Sequence, residues 1–242
     1  MFNQAIDLNL DIPIFLGIYA HFLQHERSNM DQAQHMYQQA INADPTNATT
    51  LGNYAEFLKN VRGNIDQAQE MIDQARHMYQ QEIDDDPTNA TTLGNYARFL
   101  ENVRGDMDQA QHMYQQAIEA NPNDAIILGN YAQILFAKSD DKKAISLAEK
   151  AISLASDDEK PLLAECHFYL FAHSPKHRKE SGRALKTLLG DGATTGNWPF
   201  EMNLERLRRE EDPRLELLEA VSCTLEDGNT SRLDTFEEWR DL

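Results

Sequence analysis

The side chains able to do chemistry are few, and their spacing works against it. His21 and His25 lie at i, i+4 on one helical face, the edge of a metal site, but no third ligand accompanies them. His35, His77 and His112 recur once per repeated unit. Packed helices lie about 10 Å apart, whereas a metal needs its ligands within about 2.1 Å of one ion. Cys166 and His167 are sequence neighbours, so on a helix they diverge instead of pairing as nucleophile and base. Neither Cys166 nor Cys223 belongs to a CxxC spacing, and two cysteines make no disulfide framework. A hydrolase hidden in residues 157–242 has no nucleophile or carboxylate constellation behind it. The sequence therefore predicts a protein that is not an enzyme and has no metal and no cofactor.

The chemistry left is that of binding, and charge restricts the partner. The 242 residues carry 40 Asp and Glu against 22 Lys and Arg, a formal charge of −18. Nucleic acids and anionic membranes are held by Lys and Arg on phosphate, so neither is expected, and a neutral or basic protein fits better. One cluster runs the other way: Lys176, Arg178, Lys179, Arg183 and Lys186, a solvated helix face or a docking patch for an acidic partner or the protein's own acidic tail. The start, MFNQAIDLNLD, has no basic stretch, and the apolar run from Ile12 to Leu23 is short and interrupted by Tyr19 and His21. A cytoplasmic location is expected, which makes the Asn-x-Thr and Asn-x-Ser matches at Asn47, Asn89 and Asn229 chance ones.

Binding residues need elements to hold them, and these come from internal repetition. Leu16-Gly-Ile-Tyr-Ala20 recurs as Leu-Gly-Asn-Tyr-Ala from Leu51, Leu93 and Leu128, at spacings of 35, 42 and 35. Residues 44–55 and 86–97 are identical. A second block, Met30-Asp-Gln-Ala-Gln-His-Met-Tyr37, returns at Met107 to Tyr114 and, more weakly, from Asp141. Leu93, Tyr96, Ala97 and Leu100 fall at i, i+3, i+4, i+7, as do Ala110, Met113, Tyr114 and Ala117. Gly105-Asp106 stops one helix and starts the next, and Asn121-Pro122 closes the unit. Each unit is a helical hairpin with an apolar face that only stacking can cover. Tyr54 with Phe57, and Tyr96 with Phe99, are i, i+3 pairs that belong to this core.

The set Leu93, Ala97, Leu100, Ala110, Tyr114, Ala117 and Pro122, met again from Leu16 to Pro45, resembles the tetratricopeptide repeat family over roughly residues 12 to 155. The resemblance implies an all-α fold, a right-handed α-solenoid of tetratricopeptide-like helical hairpins with a C-terminal helical cap. Residues 1–11 are expected to be a partial helix of a preceding repeat, because Gln4-Ala-Ile-Asp7 aligns on Gln116-Ala-Ile-Glu119. Four repeats follow (12–45, 46–86, 87–121, 122–156), then a degenerate hairpin at 157–190 and a cap at 191–242, with Trp198 and Trp239 as its anchors. The second repeat carries a duplicated heptad, Asp66 to Ile72 before Asp73 to Tyr79. Seven residues add about 10 Å of helix while turning its face by only about 20°, so this helix is expected to stay continuous and protrude.

In the family the first helices line a concave groove for peptides. By that resemblance Asn53, Asn95 and Asn130 would hold a ligand backbone, since an amide both donates and accepts. Gly52, Gly94 and Gly129 beside them leave room. His21, Glu56, Arg98 and Gln133, then Lys59, Glu101 and Asn102, would select side chains. The clamp for acidic C-terminal peptides needs cations where this chain has Gly17, Gly52, Thr49 and Thr91, so Arg98 alone could serve. The function expected is non-catalytic binding of a protein or peptide, with a basic one favoured by charge. Two alternatives are an acidic immunity or antitoxin-type protein that neutralises a basic effector, and a scaffold that self-associates through its open N-terminal face or the long helix 66–82.

Overall fold

The computed structural model describes residues 12–25, 29–195 and 200–242, and every ordered element among them is helical. The expectations placed on residues 1–11, on Trp198 and on the His25 side chain fall outside what is described. Two compact units make up the chain, residues 1–120 and 121–242.

The first unit contains α1 (Ile12–His25), α2 (Met30–Ala43), α3 (Ala48–Phe57), α4 (Ile65–Asp85), α5 (Ala90–Phe99) and α6 (Met107–Ala120). Each hairpin forms because one stripe per helix is apolar. Ala33, Tyr37 and Ala40 are the buried residues of α2, and Ala110, Tyr114 and Ala117 those of α6. Starts are fixed by side chains: the Asn47 and Asn89 carboxamide oxygens accept from the backbone N–H of Thr50 and Thr92 at 2.8 and 3.1 Å. Such a cap contributes about 1 kcal/mol. Both α3 and α5 finish in a wider π-type turn, Leu58–Arg62 and Leu100–Arg104. Gly63 and Gly105 then take left-handed φ values of 64° and 67°, which a side chain would resist.

Successive hairpins lock through one aromatic contact used twice. Tyr37 of α2 lies 5.4 Å from the Tyr54 ring and 5.7 Å from Phe57 on α3. Tyr79 of α4 lies 5.1 Å from Tyr96 and 5.6 Å from Phe99 on α5. Ring pairs of this kind add about 1 kcal/mol beyond their buried area.

The heptad leaves its helix continuous, as expected, and also changes how the neighbouring hairpins meet. α4 is one unbroken helix of 21 residues, against 14 in α2 and α6. Its extra length is taken up as a change of register between neighbours. A Cβ built on Gly17 would meet Thr50 Oγ1 at 2.7 Å, two residues before Gly52, the repeat equivalent of Gly17. A Cβ on Gly52 would meet Phe99 Cδ2 at 2.9 Å, five residues after the equivalent Gly94. Two before and five after differ by one heptad, so α5 is set back by about 10 Å toward the N-terminal end of α3, compared with how α3 sits on α1. Ala68 and Ile72, in the added turns, are buried.

The second unit contains α7 (Ala125–Ala137), α8 (Asp141–Leu154), α9 (Lys160–His173), α10 (Arg178–Gly190), α11 (Glu201–Arg209), α12 (Leu215–Asp227), a 3-10 turn (Thr230–Thr235) and α13 (Glu237–Arg240). Asp124 caps α7 by accepting from the Ile127 N–H at 3.0 Å. Helix α11 packs against α7, and α12 against α9. Arg206 of α11 fixes the first contact: its guanidinium donates to both Asp141 carboxylate oxygens (2.5 and 2.9 Å), to the Phe136 carbonyl (2.6 Å) and to Glu210 (2.7 Å). Arg214 donates to the Phe171 and Ala172 carbonyls at the end of α9. Trp239 is buried edge-on against Phe171, 6.1 Å between ring centres. Two members of the basic cluster serve this packing, Lys186 donating to the Trp239 and Arg240 carbonyls and Arg183 to that of Leu242.

Candidate partner-binding groove

Five of the ten residues singled out for binding come together in the first unit. Asn53 and Glu56 of α3 face Asn95 and Arg98 of α5 and Asn102 of the turn after it, around one shallow depression. Gly52 and the Tyr79 ring help to line it. All five are half-buried, so each has a packed stem and a polar end that solvent reaches. The register shift is what sets them opposite one another, since it carries α5 back along α3 until Phe99 stands at Gly52. A second polar link crosses the same helices, Asn95 Nδ2 donating to Thr49 Oγ1 at 3.5 Å, with the Tyr79 hydroxyl on that oxygen at 3.2 Å.

Electrostatically the depression is mixed. Burial raises the Glu56 carboxyl above its ordinary pKa, with the Arg98 and Lys59 cations pulling it back. Tyr79 is pushed up to about 12, mainly by burial, and stays a neutral donor at physiological pH. Amides of both senses, one carboxylate and one guanidinium can therefore pair with a backbone and with side chains of either sign.

The other five residues stand elsewhere. Glu101 does not face solvent; it is 4% exposed, inside its own hairpin. There the Tyr114 hydroxyl donates to Glu101 Oε2 at 3.2 Å, while Oε1 is buried without a partner, and burial pushes the carboxyl up to about 8. The first hairpin makes the same bond with a neutral group, Tyr37 donating to Gln24 Oε1 at 3.0 Å. Gln24 and Glu101 each lie eight residues after their repeat leucine and thirteen before that tyrosine, and this match was the available sign that Glu101 is internal.

Asn130 and Gln133 are 7% and 1% exposed, so neither can meet a ligand. Two helices pack here: Asn203 of α11 donates to the Gln133 carbonyl at 3.3 Å, next to the Arg206 contacts on the same helix, and beside Asn130 a Cβ on Gly129 would meet Leu162 and Cys166 of α9. Lys59 is exposed and does not itself line the depression; its ammonium donates to the carbonyl of Val103 at the depression's edge, at 3.2 Å. His21 is half-buried on α1.

The remaining chemistry is sparse. Among the described residues no three His, Cys, Asp or Glu are grouped to hold a metal. His35, His77 and His112 are exposed. Cys166 is buried and its thiol raised by that burial and by Glu165; Cys223 is exposed, and both are free. His173 is buried in the second unit and held down to about 4, mainly by burial and then by Arg206.

Comparison with known proteins fits this architecture. Models of the tetratricopeptide repeat match residues 46–123 and 103–159. Among solved structures, TTC0263, a thermophilic tetratricopeptide-repeat protein of Thermus thermophilus, superposes with a TM-score of 0.52 at 13% identity, covering 88% of this chain and 98% of that one. PilF of Pseudomonas aeruginosa gives a TM-score of 0.47 at 17% identity, covering 99% and 97%. No curated protein sequence matches the chain. The fold is all-α, of the α-solenoid class built from tetratricopeptide hairpins.

Proposed function

The chain belongs to the tetratricopeptide-repeat family, and on that premise we propose that it is a non-catalytic binding module whose α3–α5 face receives an extended segment of a partner protein. The observation that carries this reading is the gathering of Asn53, Glu56, Asn95, Arg98 and Asn102 around one depression. Asn53 and Asn95 hold the partner's backbone; Glu56 and Arg98 choose among its side chains. Repeats of this family generally mediate protein–protein contacts, and this chain acts as an adaptor, assembly or regulatory factor. A basic partner is favoured by the charge of −18, which also accommodates neutralisation of a basic effector. No helix among the described residues is long and apolar enough to cross a membrane. A cytoplasmic location agrees with two free cysteines.

The test is affinity capture from the native host, quantified by mass spectrometry, with wild type beside the double variant Asn53→Ala, Asn95→Ala. A partner enriched by wild type should fall about tenfold with the variant. Equal enrichment by both would remove the groove reading.

Self-association is a second reading, with its own observation. Ile14, Ile18 and Phe22 follow i, i+4, i+8 on α1 and are 46%, 52% and 41% exposed. Light scattering of wild type and Ile18→Lys decides it: a dimer mass that falls to the monomer supports the stripe, and a monomer in both excludes it.

A further inference from the structure

The register shift that builds the groove leaves a step beside it, on the other side of Val103. With α5 displaced along α3, the turn Leu100–Arg104 ends beside the early part of α4, where Lys59 donates to the Val103 carbonyl. A cleft of about 340 Å³ opens there, between the added heptad of α4 and that turn. Its floor is aliphatic: Ile72 and Val103 are buried, and Ile65 is 60% exposed at the open side. Its rim is cationic, with Lys59, Arg76 and Arg104 around that floor.

Charge makes the rim informative. Residues 1–120 hold six Lys and Arg against seventeen Asp and Glu, and three of those six cations line this one cleft. Asp73 is the acidic residue among its walls, 3.6 Å from Arg76. Three cations and one anion leave the cleft at +2, in a chain of −18. Field lines concentrate in such a concavity and draw anions past an otherwise repelling surface. Arginine adds the planar fork that takes a carboxylate in two parallel bonds.

We propose that this cleft is a second binding site, distinct from the groove, for an acidic–aliphatic segment of a partner protein: a leucine-like side chain on the floor, flanked by carboxylates on the rim. The volume is at the low end for ligand pockets, which run from about 300 to 1,000 Å³, and so fits one branched side chain with its neighbours. The site exists because of the heptad. Without residues 66–72 the step closes and the aliphatic floor loses Ile72.

Fluorescence polarisation on the full chain tests this with three labelled hexapeptides: Glu-Asp-Leu-Leu-Asp-Glu, its Gln and Asn counterpart, and Lys-Lys-Leu-Leu-Lys-Lys. The acidic peptide should bind, weaken as salt rises, and exceed both others by about tenfold or more. Arg104→Glu should lower its affinity about tenfold and Ile65→Ser several-fold, both at exposed positions and with unchanged circular dichroism. The double variant Asn53→Ala, Asn95→Ala should bind it as wild type does, which separates this site from the groove. The proposal is overturned by equal binding of acidic and neutral peptides, by preference for the basic one, by no binding at about 1 mM, by indifference to Arg104→Glu, or by loss in the amide variant.

Discussion

The same five-residue motif, Leu-Gly-Asn-Tyr-Ala, gives opposite surfaces in the two units. On α3 and α5 its asparagines stand half-buried at the edge of a depression; on α7, against which α9 and α11 pack, the equivalent Asn130 and the nearby Gln133 are buried. The repeat specifies a hairpin, and the neighbours decide whether its groove face stays open. Position 101 makes the same point in the core. Glu101 is a buried acid bonded to Tyr114, whereas Phe136, its equivalent 35 residues on, stacks on Tyr169 at 5.9 Å and on His173 at 5.3 Å.

The strongest way to break the comparison is to loosen the segment that closes α7. Arg206→Ala removes a buried guanidinium from Asp141, Glu210 and the Phe136 carbonyl. It should cost about 3 kcal/mol, read as a drop in urea midpoint. Arg98→Ala, its counterpart at the open groove, should stay within about 0.5 kcal/mol.

Glu101 offers a pH test that sharpens the contrast within the core. Its folded pKa of about 8 lies above the ordinary glutamate value of 4.5, so folding takes up a proton between these values. Stability is therefore fullest below the lower pKa and falls as pH rises toward the upper, with a slope of at most about 1.4 kcal/mol per pH unit. Glu101→Gln copies the Gln24 arrangement and should remove that part of the slope, leaving the variant more stable than wild type at pH 8 by urea titration. A variant with the wild-type slope would place the titration elsewhere.

A smaller effect probes the register. Gly52→Ala puts a Cβ 2.9 Å from Phe99 Cδ2, and Phe99 is itself packed on Tyr79. Overpacking of this kind costs about 1–2 kcal/mol, seen as a lower melting temperature, and should disturb the groove at the same time. Smallest is the double variant Asn53→Ala, Asn95→Ala, whose stability should change by no more than about 0.5 kcal/mol, apart from its effect on binding.

The hairpins were legible because helical periodicity, polar starts and Gly stops are local signals: Gly105 takes its left-handed φ at the end of one helix, and Asp106 accepts from the Gln109 N–H at the start of the next, where the spacing predicts them. That five of the ten residues singled out line one depression follows from the same local signal, as side chains at one repeat position share a helical face. Burial of Asn130 and Gln133 was not legible, because the helices packed on α7, α9 and α11, come from stretches where the repeat is degenerate or lost, and sequence alone does not say where they dock. The heptad's length was visible, but whether it would protrude or shift a neighbour depended on which face α5 found along α3. The cationic step follows from that choice. Lys59, Arg76 and Arg104 are far apart in sequence and carry no spacing signal.

One measurement tests the central contrast directly: photo-crosslinking in the native host with p-benzoylphenylalanine placed at Asn102 or at Ala137. These are equivalent repeat positions, 35 residues apart and both half-buried, one at the open groove and one on the covered helix. A partner band should form from position 102 and be absent from position 137. Equal crosslinking from both, or a band from 137 alone, would contradict the account.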